Sequence, residues 1–305
     1  MGANAHQYAA PSIAEHAWIG CVTAVYAPVA LPSPDLPPAP GQGPSTAAPA
    51  SIEERWRSAA KEWNERVLDR INKNRAKLGM ASIGDVLDYV LTDHTWLAAD
   101  TALAPVPATP GREIFQTGAW VLPDRMPLPP DLEAFLERGE PPIFFGIGSM
   151  PARGDVTPVL VSAARAAGRR IIISRGWSDL DLVDDAPDCA AVGDVSHDVL
   201  FARVAAVVHH GGAGTTAAAA GAGVPHVITP MFGDQFYWSS RVVELGIGTT
   251  TPHASRSEAS LESALREVLD PAVAARARAF ARGVGWDGAE IAARRLEAEY
   301  DKART

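Results

Sequence analysis

A chain of 305 residues exceeds the usual size of one hydrophobic core, so two domains or one large α/β unit are expected. The composition is 47% hydrophobic and 21% charged with no apolar run of bilayer length, and the net charge is −9. These values argue against a membrane-inserted chain and against a nucleic-acid binder, whose affinity rests on clustered Lys and Arg. Only Cys21 and Cys189 occur, far apart, which argues against a disulfide framework or a cysteine zinc site and fits a reducing cytoplasm.

The opening "MGANAHQYAA" lacks the pattern of a secretory signal, and His6 breaks a myristoylation motif, so a cytoplasmic location is expected. "PSIAEHAWIGCVTAVYAP" then reads as a helix end, a turn and a buried strand, with no first strand before it. Residues 28–50 are too rich in Pro, Gly, Ser and Ala for helix or central strand and read as a long surface loop. Ile52, Trp56, Ala60, Trp63, Val67 and Ile71 recur at helical spacing, and Ser51 with Glu54 offers a capping box. One long amphipathic helix ending near Gly79 follows. Trp56 and Trp63 read either as plain core packing or as the wall of an apolar ligand groove. "SIGDVLDYVL" reads as a helix and "TWLAADTAL" as extended, and the proline-punctuated stretch after them reads as a domain connector.

From Glu140 the pattern becomes a regular alternation of apolar strand runs and amphipathic helices: "PIFFGIGS", "RRIIISRG", "CAAVGDV", "AAVVHH" and "HVITPM" are the strands. Continuous apolar strands separated by helices indicate a parallel sheet covered on both faces, a Rossmann-like domain. Such sheets bind ligands beyond the carboxyl ends of their strands. The expected organisation is a partial N-terminal domain over residues 1–118, a linker over 119–139, a C-terminal domain over 140–284 and a final helix over 285–305.

At the end of "AAVVHH" a Gly-Gly-Ala-Gly turn leads into a helix expected to begin at about Thr215. Glycines let backbone approach a ligand, and the unpaired N–H groups of a helix start make an anion site. A diphosphate is thus expected to be held by backbone N–H groups, the Thr215 hydroxyl and an imidazole, without a metal. The missing lysine excludes a Walker A loop. Ser149, after "GIGS", is placed to donate to a phosphate oxygen; Trp177 and Val195, at the next two strand ends, suit a nucleobase. Asp234 and Gln235, in "PMFGDQ", suit the adjacent hydroxyls of a sugar. Two other readings compete. "GAGTTA" loosely matches a dinucleotide fingerprint with Asp234 as its ribose acceptor, which implies an NAD-dependent oxidoreductase. The plainer one is a glycine turn that only packs helix on strand.

At these residues the sequence resembles the nucleotide-sugar-dependent glycosyltransferases of the GT-B fold, in their bacterial natural-product and sterol-type branch. "HHGGAGTT" followed by "AGVPHVITPMFGDQ" looks like their donor signature, and "WLAAD", "QTGAWVLPD", "GIGSM" and "SRGW" like their other landmarks, over most of residues 12–295. The resemblance implies an α/β fold of two Rossmann-like domains, the N-terminal one incomplete. His210, Gly212, Ala213, Gly214 and Thr215 would hold the donor diphosphate with Ser149 assisting, and His210 would stabilise the leaving group. Asp234 and Gln235 would bind the sugar. The Pro-rich loop and the helix carrying Trp56 and Trp63 would belong to the acceptor side. It further implies inverting transfer from a UDP- or dTDP-sugar to a hydroxyl of a hydrophobic aglycone, with no cofactor and no metal. "DLD" at 179–181 mimics a metal-binding motif of another glycosyltransferase fold and reads as a solvated loop. The family's general base is expected in a segment that precedes this chain, about a hundred residues by comparison with full-length two-domain enzymes. Neither His6 nor His16 matches the base motif. A donor-binding auxiliary protein without catalysis is the alternative reading.

Overall fold

The structure, a computed structural model, describes residues 2–40, 51–148, 156–178, 180–184, 186–251 and 257–304. Of these, residues 2–40, 51–120 and 287–304 form one compact unit and residues 121–286 a second.

The first unit begins with β1 (Gly2–Asn4), α1 (Ala10–His16) and β2 (Val22–Val25), followed by α2 (Ile52–Trp63), α3 (Asp69–Lys77), α4 (Val86–Val90), β3 (Thr95–Leu97) and β4 (Phe115–Gln116). Its sheet runs β1-β2-β3-β4, all parallel. The presence of β1 corrects the expectation of no strand before β2. "GAN" carries no strand signal of its own, and it is extended because its backbone pairs with β2 from Gly2 opposite Val22 onward.

The long helix starts at the capping box of Ser51 and Glu54 and runs to Lys77, but a π-helical turn over Asn64–Leu68 separates α2 from α3. The Asn64 side chain there accepts from Val86 N–H and donates to Asp85, tying the turn to the start of α4. Trp56 donates to the Leu36 carbonyl at 2.8 Å, and Trp63 packs against the rings of His6 and Tyr8.

Arg75 of α3 is a buried charged residue of this unit, 4% exposed. Its guanidinium donates to Glu15 of α1 at 2.8 Å, to Ser12 at 3.2 Å and to the Ala81 carbonyl at 2.7 Å. The hydrogen bond from Arg75 holds the Glu15 carboxyl below its usual range.

In the second unit α5 (Pro130–Leu136) precedes β5 (Ile143–Gly146), α6 (Thr157–Ala166), β6 (Ile171–Ser174), β7 (Cys189–Val192), α7 (His197–Phe201), β8 (Ala206–His209), α8 (Ala213–Ala222), β9 (His226–Ile228), α9 (Gln235–Glu244), β10 (Gly248–Thr250), α10 (Glu258–Val268) and α11 (Pro271–Ala281). The six strands are parallel in the order β10-β9-β8-β5-β6-β7. The period of two along each apolar strand divides the core. Ile143, Phe145, Ile171, Ile173 and Val208 face α6 and α10, whereas Phe144, Ile172, Val192 and Val207 face α5, α7 and α8. Phe145, Ile172 and Phe201 are each 0% exposed, and burying side chains of this size stabilises by about 1.5–3 kcal/mol apiece. Leu128, Leu132, Phe135 and Leu136 belong to this core, so the later part of the proline-punctuated stretch is packed rather than free.

The order in which strands are added switches direction between β5 and β8, which lie side by side with Gly146 opposite His209. The loops after these two strands therefore diverge from a common point, the crevice where open parallel sheets bind ligands. Finally α12 (Gly288–Arg304) belongs to the first unit, where Ala292 joins Val22 and Trp96 and the Arg295 guanidinium lies 5.1 Å from the centre of the Phe115 ring. No helix among the described residues is long and apolar enough to cross a membrane.

Truncating Arg75 strands the Ala81 carbonyl, leaves Ser12 with the Tyr89 hydroxyl alone, and opens a void between α1 and α3. Arg75→Ala is expected to lower stability by about 2–3 kcal/mol, and Glu15→Gln, at the exposed end of the pair, by less than about 1 kcal/mol. Urea unfolding of the two variants checks the ranking.

Candidate functional site

The stretch after β8 is shaped by a run of close contacts. Gly211 has φ +92°, and a Cβ there would stand 2.8 Å from Ile228 Cγ2, so no side chain fits the turn. Its N–H points inward and donates to His209 Nδ1 at 3.2 Å. Gly212 caps α8, which begins at Ala213 rather than Thr215 because Ala213 and Gly214 already hold helical backbone. The first intrahelical bond runs from Thr216 N–H to the Gly212 carbonyl, which the Thr216 hydroxyl also meets. Among the described residues the N–H groups of Gly212, Ala213, Gly214 and Thr215 and the Thr215 hydroxyl have no protein partner. Four adjacent donors at the positive end of a helix dipole form an anion cradle.

His210 lies beside this cradle. A Cβ on Gly212 would be 2.6 Å from His210 Nε2, and one on Gly148, which has φ +58°, would be 3.5 Å from His210 Cε1. The imidazole thus lies between the loops after β5 and β8; it leaves no room for a side chain at Gly212, whereas Gly148 is favoured by its positive φ. Its Nδ1 is sealed from solvent without a partner, and burial lowers its proton affinity, so the ring is neutral near pH 7.

A cavity of about 240 Å³ opens next to the cradle, lined among others by Gly148, Ser174, Trp177, Val195, His197 and Thr215. Its floor is the backbone crossing of Gly176 and Gly148. A Cβ on Gly176 would lie 2.5 Å from the Gly148 carbonyl, and Trp177 N–H donates to that carbonyl at 3.1 Å. Trp177 is 85% exposed, an aromatic face at the rim. Sequence reasoning passed over His197, whose ring is stacked on Phe201 at 4.6 Å and meets Phe144 edge to face. Its signal was its position two residues after Val195 on a strand-end loop.

The structure therefore brings Trp177, Val195 and Thr215 to one cavity, with His210 and Gly212–Gly214 adjoining. Asp234 and Gln235 do not line it. Gln235 instead packs against the other side of the turn, its Cβ 3.3 Å from the place a Gly211 Cβ would occupy. Gln235 is 3% exposed, and its Oε1 accepts from Met231 and Phe232 N–H, so its acceptor end is committed to shaping the loop before α9. Asp234 accepts from Trp238 Nε1 at 2.9 Å. Ser149 and Asp179 lie outside the described residues. Asp181 pairs with Arg175 at 2.9 Å. Among the described residues the compact cluster of potential cation ligands is Asp184, Asp188 and Cys189. Arg165 already forms charge-assisted bonds to both carboxylates, which holds Asp188 down to about 2, and burial pushes the Cys189 thiol up to about 11.

Comparison with known proteins gives consistent results. Residues 159–285 match the family described as "Erythromycin biosynthesis protein CIII-like, C-terminal domain". The chain is 45% identical over 285 residues to the vancomycin aglycone glucosyltransferase of Amycolatopsis orientalis, covering 93% of this chain and 70% of that protein. It is 44% identical over 215 residues to the dTDP-epi-vancosaminyltransferase of the same organism, covering 68% of this chain and 54% of that one. Among solved structures, the kitacinnamycin glycotransferase superposes with a TM-score of 0.71 at 19% identity, over 98% of this chain and 75% of that one, a likeness of fold.

The buried histidines set a pH dependence. His197, His209, His210 and His226 all bind a proton less readily folded than unfolded, with His226 pushed down to about 3 by burial. The unfolded chain then takes up more protons below its ordinary value near 6.5, so stability is full above that pH and declines as pH falls toward the folded values. Each histidine adds a slope of at most about 1.4 kcal/mol per pH unit. The carboxylates Asp184 and Asp188 act in a separate window, below about their unfolded value of 3.8. Denaturant unfolding at pH 7, 6 and 5 is expected to show a steady loss that is shallower in His226→Gln.

Proposed function

Because the chain belongs to the GT-B glycosyltransferases, we propose that it moves a sugar from a UDP- or dTDP-sugar to a hydroxyl of a hydrophobic natural-product or lipid-like aglycone, with inversion and without a metal, in the cytoplasm. The observation that carries this reading is the row of unpartnered donors from Gly212 to Thr215, set beside His210 and the cavity of Trp177, Val195 and His197. The names of two relatives, one acting on the vancomycin aglycone and one using a dTDP-linked sugar, support the donor and acceptor classes.

In the proposed reaction the acceptor oxygen attacks the anomeric carbon from the face opposite the nucleoside diphosphate. The bond from that carbon to the β-phosphate oxygen breaks, its electron pair stays on the diphosphate, and the acceptor's proton passes to a base that is assigned to no residue of this chain. The role of the cradle is to stabilise the charge growing on the leaving diphosphate, as pre-oriented N–H donors do in other reactions. His210 contributes as the neutral tautomer with its proton on Nε2, the nitrogen beside Gly212, which leaves the sealed Nδ1 as a bare acceptor. The nucleobase is assigned to Trp177 and Val195, the diphosphate also to Ser149, and the sugar to Asp234 and the free amide end of Gln235. The second reading is a protein that holds the donor without transferring its sugar.

Titration calorimetry with dTDP, UDP and NAD in the presence of a chelator tests the proposal. Expected are binding of dTDP or UDP, no NAD binding, and a loss of about 10- to 100-fold in His210→Ala, the worth of one hydrogen bond to a charged group. Absence of nucleotide binding, or tight NAD binding, overturns it. Donor binding with no transfer across an acceptor panel selects the second reading.

A further inference from the structure

The two fully buried histidines have no part in the reaction outlined above, and the sheet brings them together. His209 ends β8 and His226 begins β9, both 0% exposed. The register places His226 opposite Val207, two residues before His209 and on the same face, so the rings meet diagonally across the strands with centroids 5.4 Å apart. His209 Nε2 lies 3.2 Å from His226 Nδ1.

The hydrogen bonds leave one assignment of protons. Gly211 N–H donates to His209 Nδ1, so that nitrogen is bare and His209 carries its proton on Nε2. That proton goes to His226 Nδ1, and His226 carries its own on Nε2, which is sealed without a partner. A second proton on either ring would set two N–H groups against each other, at Gly211 or between the rings. The pair is thus locked neutral by geometry as well as by burial, and His210 is the member of the turn left to exchange protons with a ligand. A sealed donor without an acceptor is costly, and a native fold keeps one where something else is gained.

We propose that His209 and His226 are positioning residues for the anion cradle: the relay from His226 through His209 to the Gly211 amide turns that amide inward and thereby aims the next four outward at one point. This rests on the reading of the cradle as the diphosphate site. Gly211 is the residue where the chain changes course, and Gln235 and Ile228 close against its other side. His209 is the one side chain that fixes its N–H. His226 is fully buried and acts on the ligand only by holding the His209 tautomer.

The test compares wild type with His226→Gln, which keeps an acceptor for His209, and His226→Phe, which keeps the bulk and removes it. Calorimetry with dTDP and UDP is read beside nitrogen-15 spectra of the imidazoles and of the Gly211 amide. His226→Phe is expected to weaken nucleotide binding at least about fivefold, the low end for one lost buried hydrogen bond. It should also mix the His209 tautomers, while His226→Gln restores both. In the wild type His209 should show a bare Nδ1 that does not titrate between pH 5 and 8. Equal affinity in His226→Phe and wild type, or a proton on His209 Nδ1, overturns the proposal. A wild type that binds no nucleotide defeats the diphosphate reading, and the Gly211 amide shift in His226→Phe then decides whether the relay shapes the turn. If His226→Phe does not fold, the His209 tautomer in wild type and His226→Gln decides the matter.

Discussion

The structure of the second unit turns on a row of backbone N–H groups left without partners at the head of α8. The first N–H groups of any helix lack intrahelical partners, and here they are partly open to solvent beside a cavity, where an anion could complete them. Everything around the row keeps it open. Gly211 bends the chain where a side chain would strike Ile228, Gly212 makes room for His210, and Gly176 lets the neighbouring loop cross the Gly148 carbonyl. The parallel order of the sheet delivers these loops to one end, with the switch between β5 and β8 beneath them.

The chemistry at this point is that of neutral donors. The chain carries a net charge of −9, and the segment from Val207 to Gln235 contains no Lys or Arg. In the proposed reading, attraction for a diphosphate comes from oriented dipoles, about 0.3–1 kcal/mol for the helix end at the surface and up to about 2 kcal/mol when partly buried, and from hydrogen bonds made to charge. Such donors need no reorganisation when charge develops on a leaving group, which suits catalysis better than ground-state binding alone. The buried histidines serve the same end. Kept neutral by burial, they add shape and donors without adding a charge that needs its own counterion.

Much of this was legible from the residues. The apolar runs of β5, β6 and β8 announce a covered parallel sheet, and "HHGGAGTT" announces a glycine turn leading from a strand end into a helix, because both signals are local. What escaped depends on register or on distance along the chain. The pairing of His209 with His226 requires knowing that β8 and β9 are neighbours offset by two residues. Arg75 meets Glu15 across 60 positions. β1 exists only through its pairing with β2. The helix start moved from Thr215 to Ala213 because glycine, a poor helix former in mid-helix, carries little penalty in the first turn. The acceptor end of Gln235 is taken by Met231 and Phe232, a loop contact that no pattern of residue types reveals.

The decisive question is where an anion meets the backbone. Amide chemical shifts recorded during titration with dTDP or UDP give the most direct answer. The N–H groups of Gly212, Ala213, Gly214 and Thr215 should move strongly downfield as donors to phosphate, with that of Gly211, already committed to His209, moving little. Saturating nucleotide that leaves those four unshifted while residues elsewhere respond would contradict the assignment of the cradle.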